Sequence, residues 1–351
     1  MLLPSAWLCL VASVAARSLF DFRLVPFDKG GDQKPIAPPK HGLEIPKIGL
    51  GLWNSKAKLA TDAVESAFVA GYHHFDSAAA YSNEGYVGKG LGTANISRHE
   101  YWITSKLWND AHQPSKVEPA LRQTLADLNT TYLDLYLMHW PVAFVPDKGS
   151  RTIIDQDTSI TDTWKAMEDL VRQNLTRHIG ISNFSPRQID QVLKSCKICP
   201  YAHEFETHPY LQQQEFVEWH QERDIKVIAY SPLANLNPTY NGTHPKLPPI
   251  TEDAFWVEMA RNKSVTVAQA VLGWGMQRGT VVIPKSTHEK RIVENLGSVH
   301  VKFEDEEMVR ITERDEKARF NDPGKSWGVE LFEGLDGGSN RFLAAEEQEE
   351  L

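Results

Sequence analysis

A chain of 351 residues that is 41% hydrophobic and 10% aromatic can bury a sizeable core, as one large domain or two ordinary ones. A formal net charge of −9, with no clustered Lys/Arg stripe, argues against a nucleic-acid partner. Beyond roughly the first twenty residues no stretch is long and apolar enough to cross a bilayer.

At the N-terminus, Met1 to Ala16 carries no charge, runs through Leu2, Leu3, Trp7, Leu8, Leu10 and Val11, and ends in small residues. This reads as a cleaved secretory signal over 1–16, followed by an irregular extension over 17–45. Five sequons, at Asn95, Asn129, Asn174, Asn241 and Asn262, fall where loops or helix ends are expected, as glycan acceptors require. A sixth, at Asn183, is followed by Pro186 and is expected to stay bare. With Cys9 removed, Cys196 and Cys199 remain, placed to close a small disulfide in an oxidising compartment. The final Gln348-Glu349-Glu350-Leu351 echoes luminal retention signals, so the expected location is the secretory pathway, secreted or in the endoplasmic reticulum lumen.

Strand-like and helix-like segments then alternate. Ile48 to Leu52 precedes a helical run over 57–70, with Leu59, Ala63, Val64, Ala67 and Phe68 on one face. Strand 72–76 leads to helix 84–91, and strand 102–106 to helix 116–128, where Val117, Leu121, Leu125 and Leu128 keep the helical period. Strand 133–138 is followed by a long loop and helix 161–173; strand 178–182 by helix 186–195; strand 202–207 by helix 213–223. Strand 226–230 opens a Pro/Asn-rich loop, helices 252–262 and 266–277 follow, and strand 281–283 leads to helix 288–296. Eight strands, each followed by at least one helix, predict an α/β fold, a single (β/α)8 TIM barrel with extra loops and a C-terminal extension. A doubly wound open sheet is disfavoured, because no G-x-G-x-x-G follows the first strand.

Three of the expected strands end in polar groups: Asp76, Lys106 and His139, with Tyr81 in the loop after the first of them. Loops after successive strands of a parallel barrel meet at one rim, so these four residues converge as a candidate catalytic set. A phenol protonates a carbonyl oxygen well only when its pKa of about 10 is lowered. A neighbouring ammonium does that, and Lys106 is expected to play this part while Asp76 holds it. Neutral His139 is expected to orient the substrate oxygen.

Over about residues 44–325 the chain resembles the aldo-keto reductase superfamily. The resemblance is carried by GYHHFDSAAAYSNEGYVG at 71–88, LDLYLMHWP at 133–141, and IPKS at 283–286 with Arg291 and Asn295. It implies a barrel domain over 46–325 with a tail over 326–351, NADP(H) as cofactor, and interconversion of carbonyls and alcohols. By the same resemblance Gly51, Leu52, Trp53, Asp76, Ser182, Asn183, Glu204, Tyr230, Ser231 and Leu233 contact the cofactor, with Tyr230 stacking on the nicotinamide and Ser182 and Asn183 at its carboxamide. Lys285, Ser286, Thr287, Arg291, Glu294 and Asn295 hold its far half, Lys285 and Arg291 clamping a 2′-phosphate. Trp53, Trp108, His139, Trp140 and Phe144 are expected to line an aromatic pocket for small, fairly apolar substrates.

One departure stands out. Where the family usually has a carboxamide-binding Gln, this chain has Glu204, which if ionised favours the positively charged oxidised nicotinamide. His73 stands where Arg is common, a packing variation. A metal site built from Cys196, Cys199, His203 and His208 is not expected, since the spacing departs from zinc patterns. The competing readings are a noncatalytic NADP-binding or structural barrel and a sugar-processing barrel. The second lacks a suitable acidic pair, Glu204 and Glu206 being expected on opposite faces of one strand. A small-molecule substrate and a monomer complete the expectations.

Overall fold

The computed structural model describes residues 44–93, 96–145, 152–240 and 246–335, all within one compact unit, Gln33–Leu351. The signal-like segment, the extension up to residue 43, the sequon acceptors Asn95 and Asn241, and the tail from 336 lie outside the described residues.

Eight strands, β1 (Leu50–Gly51), β2 (His74–Asp76), β3 (Trp102–Leu107), β4 (Leu133–Met138), β5 (Thr176–Ser182), β6 (Ala202–Glu206), β7 (Lys226–Tyr230) and β8 (Val281–Val282), form one parallel sheet in sequence order. Parallel bridges Ile48↔Val282 and Gly51↔Lys285 bring its first strand against its last, closing the barrel. Gly51 is required at that seam, because a Cβ there would sit 2.7 Å from the Ile283 carbonyl oxygen. Around the sheet run α1 (Lys58–Ala70), α2 (Glu84–Gly92), α3 (Pro114–Asp127), α4 (Ile160–Arg172), α5 (Pro186–Ser195), α6 (Gln214–Glu222), α7 (Ala254–Asn262), α8 (Val267–Gln277) and α9 (Glu289–Leu296). Two further helices, α10 (Asp305–Thr312) and α11 (Gly324–Trp327), are not among those expected from the sequence, and α11 runs across the expected boundary between barrel and tail.

The period of two along each strand sorts the side chains into two cores. Phe75, Ile103, Tyr136, Ile179, Phe205 and Val227 face outward and join the buried faces of the helices in one cluster. Trp102, Leu135, Leu137, Ala202, Ile228 and Val281 form a separate cluster inside the barrel. In α1 the buried stripe is Ala60, Ala63, Val64 and Ala67, whereas Leu59, expected on that face, is 53% exposed. The stripe of α3 is as expected, with Val117, Leu121 and Leu125 buried.

Cys196 and Cys199 form a disulfide just after α5. Among the described sequon acceptors Asn129, Asn174 and Asn262 are exposed, and Asn183 is buried at 2% exposure.

Candidate active site

Following the inward positions of each strand to its C-terminal end gives the site directly. Trp102 and Thr104 are followed by Lys106, Leu135 and Leu137 by His139, and Ala202 by Glu204 and Glu206. Asp76 ends β2, and Tyr81 closes a 3₁₀ turn, Ala79–Tyr81, that β2 feeds. The Lys106 ammonium is fully buried and donates to Asp76 Oδ1 at 2.6 Å, to the Ser77 carbonyl oxygen at 2.9 Å and to Tyr81 Oη at 3.3 Å. Glu204 Oε1 lies 3.3 Å from the same nitrogen. The His139 ring stands edge-on to Tyr81 at 5.9 Å and to Trp108 at 5.2 Å between centroids.

Burial and charge oppose each other throughout this cluster. Burial works against the Lys106 ammonium, but Asp76 and Glu204 outweigh it and hold its pKa well above the ordinary lysine range. Burial raises Asp76, against the pull of Lys106, and burial together with the neighbouring Asp76 charge pushes Glu204 well above the ordinary carboxyl range. Burial, reinforced by Lys106, keeps His139 well below the ordinary imidazole range and therefore neutral. For Tyr81, Lys106 does pull the phenol downward as the sequence reading supposes, yet burial outweighs it and the net shift in the free protein is upward. The phenol of the free protein thus keeps its proton. The same burial favours the neutral carboxyl of Glu204, so the effect expected of an ionised Glu204 on the reduced nicotinamide depends on how far that shift goes.

Above this cluster opens a cavity of about 580 Å³. Its wall includes Gly51, Leu52, Trp53, Ser182, Asn183, Tyr230, Ser231 and Leu233, with Lys285, Ser286, Thr287 and Arg291 toward the start of α9. Polar side chains there are mutually fixed: Tyr230 Oη donates to Asn183 Oδ1 at 2.7 Å, and Asn183 Nδ2 donates to the His139 carbonyl oxygen at 3.1 Å. Ser286 Oγ accepts from the His288 N–H at 3.1 Å, organising the turn into α9. Glu294 and Asn295 do not line the cavity. Glu294 Oε1 accepts from Thr266 Oγ1 at 2.8 Å, and Asn295 is buried within α9.

Trp53, Trp108 and Trp140 also line the cavity, as expected, while Phe144 is not in its lining and meets Trp108 edge-on at 6.0 Å between ring centroids. The sequence reading missed Trp327 of α11, whose ring meets Trp140 and Phe144 edge-on, each at 5.1 Å. It also missed Asn321, which donates to Tyr230 Oη at 3.2 Å. No strand or periodic pattern announces either residue. Tyr240, whose hydroxyl pairs with Ser231 Oγ at 2.8 Å, overhangs the cavity. Glu206 and Glu204 share one face of β6, as residues two apart on a strand must, which corrects the expectation of opposite faces. They are not a free acid pair, because Glu206 accepts from the N–H groups of Phe320 and Asn321 and pairs with His208 at 2.9 Å. Among the described residues no group of His, Cys, Asp and Glu is arranged to hold a metal ion.

The model for the Aldo/keto reductase family matches residues 47–316. An uncharacterized oxidoreductase of Schizosaccharomyces pombe is 41% identical over 307 residues, covering 85% of this chain and 93% of that protein. Aldo-keto reductase family 1 member A1 of Gallus gallus is 42% identical over 291 residues, covering 80% of this chain and 88% of that protein. Among solved structures, an aldose reductase from Schistosoma japonicum superimposes with a TM-score of 0.76 at 33% identity, covering 88% of this chain and 100% of that one.

Proposed function

We propose, from the premise that this chain belongs to the aldo/keto reductase family, that it interconverts aldehydes or ketones and the matching alcohols with NADP(H), Tyr81 supplying the proton. Family membership makes the chain an oxidoreductase; the cofactor, the acid and the carbonyl substrate are our reading. The observation that carries it is the Lys106 ammonium, 2.6 Å from Asp76 and 3.3 Å from the Tyr81 hydroxyl, beneath a cavity that neutral His139 also faces.

The residues present fit a nicotinamide dinucleotide. Tyr230 offers a ring face, and Ser182 and Asn183 offer amide and hydroxyl groups beside it. At the other end Lys285 and Arg291 supply cations for phosphate, with Ser286 and Thr287 at the turn into α9. Bound there, the reduced nicotinamide supplies the hydride. The chain's own part is the proton and the placement of the substrate. Tyr81 Oη gives its proton to the carbonyl oxygen, and Lys106 stabilises the phenolate left behind. Neutral His139 donates an N–H to the same oxygen and fixes its angle. The aromatic wall of Trp53, Trp108 and Trp140 suits apolar substrates and keeps water from the reacting atoms.

The test is turnover of a carbonyl panel with NADPH by the purified protein and by Tyr81→Phe. We expect kcat to fall by roughly 10²–10⁴ in the variant, the range for loss of a positioned general acid. A wild type that binds NADPH but reduces nothing, or a Tyr81→Phe enzyme of undiminished kcat, would overturn the reading.

A further inference from the structure

The surroundings of Lys106 do not balance as drawn with two ionised carboxylates. An ammonium has three N–H donors, and here they go to Asp76, to the Ser77 carbonyl and to Tyr81. Glu204 Oε1, also at 3.3 Å, is a fourth acceptor competing for three N–H groups. Meanwhile Asp76 Oδ2 and Glu204 Oε2 are both buried without a partner, although the two carboxyls are hydrogen-bonding neighbours. Two negative charges against one positive charge in a dry site is unfavourable, and one added proton shared by the neighbouring carboxyls relieves that imbalance. Burial and the adjacent Asp76 charge push the Glu204 pKa upward, which puts that proton on Glu204.

We propose that Glu204 stores a proton that reaches Tyr81 through Lys106, and that it gives this proton up when positive charge appears in the cavity. The proposal rests on the nicotinamide-dependent reading above. In the reducing direction the Tyr81 O–H bond breaks and its proton goes to the substrate oxygen. A Lys106 N–H proton then passes to Tyr81 Oη over 3.3 Å, and the Glu204 carboxyl, whose Oε1 lies 3.3 Å from Nζ, turns its proton from Asp76 to Lys106 and gives it up there. The two electrons and the carbon-bound hydrogen come from the reduced nicotinamide, so one hydride and one proton make the alcohol. Tyr81 and Lys106 end as they began, and Glu204 ends as a carboxylate facing the newly cationic nicotinamide. A Gln at this position could not do this, since an amide has no proton to give at neutral pH. Glu204 acts through Lys106 and not on the substrate.

The groups facing Glu204 are few. Asp76 comes from β2, Lys106 from β3, Tyr81 from the turn after β2, and His139 from the end of β4. Of these His139 is held neutral, and Tyr81 is held as the phenol. On the flanking strands Ser182 and Asn183 do not titrate in this range, and Tyr230 is held up by burial. Glu206, on the same strand, is committed to His208 and to two N–H groups. Glu204 and its Asp76 partner are therefore the groups left to release a proton near neutrality.

The experiment counts protons and needs no turnover. Calorimetric titration of the full chain with NADP+ and with NADPH, in two buffers of different ionisation enthalpy, gives the protons released by each. We expect NADP+ to release about one proton more than NADPH, so that NADP+ affinity tightens up to about tenfold per pH unit while NADPH affinity stays flat. Glu204→Gln should abolish the difference while still binding both nucleotides, and Tyr81→Phe should keep it. Equal proton counts in the wild type, or a difference that survives Glu204→Gln, overturns the proposal and leaves the functional reading intact. Binding of neither nucleotide overturns the functional reading and the proposal with it. Should Glu204→Gln fold poorly, infrared difference spectra of the wild type decide. A protonated-carboxyl band lost on adding NADP+ supports the proposal, and an unchanged band sinks it.

Discussion

Lys106 is a long cation held with no exposed surface at all, and that fact sets what each neighbour can do. It is kept charged by Asp76 at 2.6 Å, because moving an unpaired ammonium into such a site costs several kcal/mol. The pair should therefore be judged by what breaking it does. Lys106→Met leaves Asp76 and Glu204 facing each other without a cation, and should destabilise the protein by about 3–5 kcal/mol. Adding Asp76→Asn to that variant removes the stranded charge and should recover part of the loss, although neither variant should reduce carbonyls at a useful rate. Urea unfolding of the wild type, the single and the double variant checks this. A single variant as stable as the wild type would mean that the buried cation matters little to the fold.

Between residues and whole barrel, the informative unit is the β3–α2–α3 corner. Glu84, in the first turn of α2, is buried against the barrel and accepts from Ser105 Oγ at 2.6 Å and from Thr124 Oγ1 at 2.9 Å. Burial raises its pKa from the usual 4.5 to about 7, with the two hydroxyls pulling the other way. A carboxyl whose folded pKa lies above its unfolded one keeps its proton in the native state while the unfolded chain loses it. Its contribution is thus fully present below about pH 4.5 and is lost as pH rises to about 7, a change of about 3 kcal/mol. Glu84→Gln should remove that slope and be the more stable protein at pH 8. Denaturant midpoints at pH 5 and pH 8 for both proteins check it, and an identical pH dependence would show that Glu84 does not titrate in this window.

This corner also shows what a sequence reader can and cannot see. The alternation of period two and period 3.6 makes the strands and most helices legible, and with them the strand-end positions of Asp76, Lys106 and His139. The same logic fails where a segment has no period. Trp327 and Asn321 come from a stretch whose place is fixed by tertiary contacts, with Trp140, Phe144 and Tyr230 as the partners. Apolar spacing alone does not say which of two adjacent arcs faces the barrel, so Leu59 reads as part of the buried stripe although Ala60 takes that place. Proton placement is the least legible of all. Nothing in the sequence says whether Glu204 is ionised, and the proton proposed for it rests on its distance from Lys106 and its orphaned oxygen.

Over the whole molecule the same burial that shapes Glu84 acts with opposite sign on the imidazoles. Burial lowers His74 and His112 to about 3 and His178 and His220 to about 4, and it holds His139 and His203 well below the ordinary range. These rings come from several elements: His74 from β2, His178 from β5, His203 from β6 and His220 from α6, with His203 and His220 in direct contact at 2.8 Å. A depressed imidazole stays neutral in the fold while the unfolded chain takes up a proton below about pH 6.5. Each ring therefore withdraws about 1.4 kcal/mol of stability per pH unit between its unfolded and folded pKa values. Glu84 returns stability over part of the same window, but one carboxyl does not offset several rings. Native domains hold only about 5–15 kcal/mol in reserve, so the fold should give way cooperatively near pH 5, before most carboxylates are protonated. The proton uptake on unfolding at pH 5.5, obtained from the slope of stability against pH, should exceed two. A protein that keeps full stability down to pH 4 would show that these rings accept protons inside the fold, and the neutral His139 of the proposed reducing mechanism would have to be given up with them.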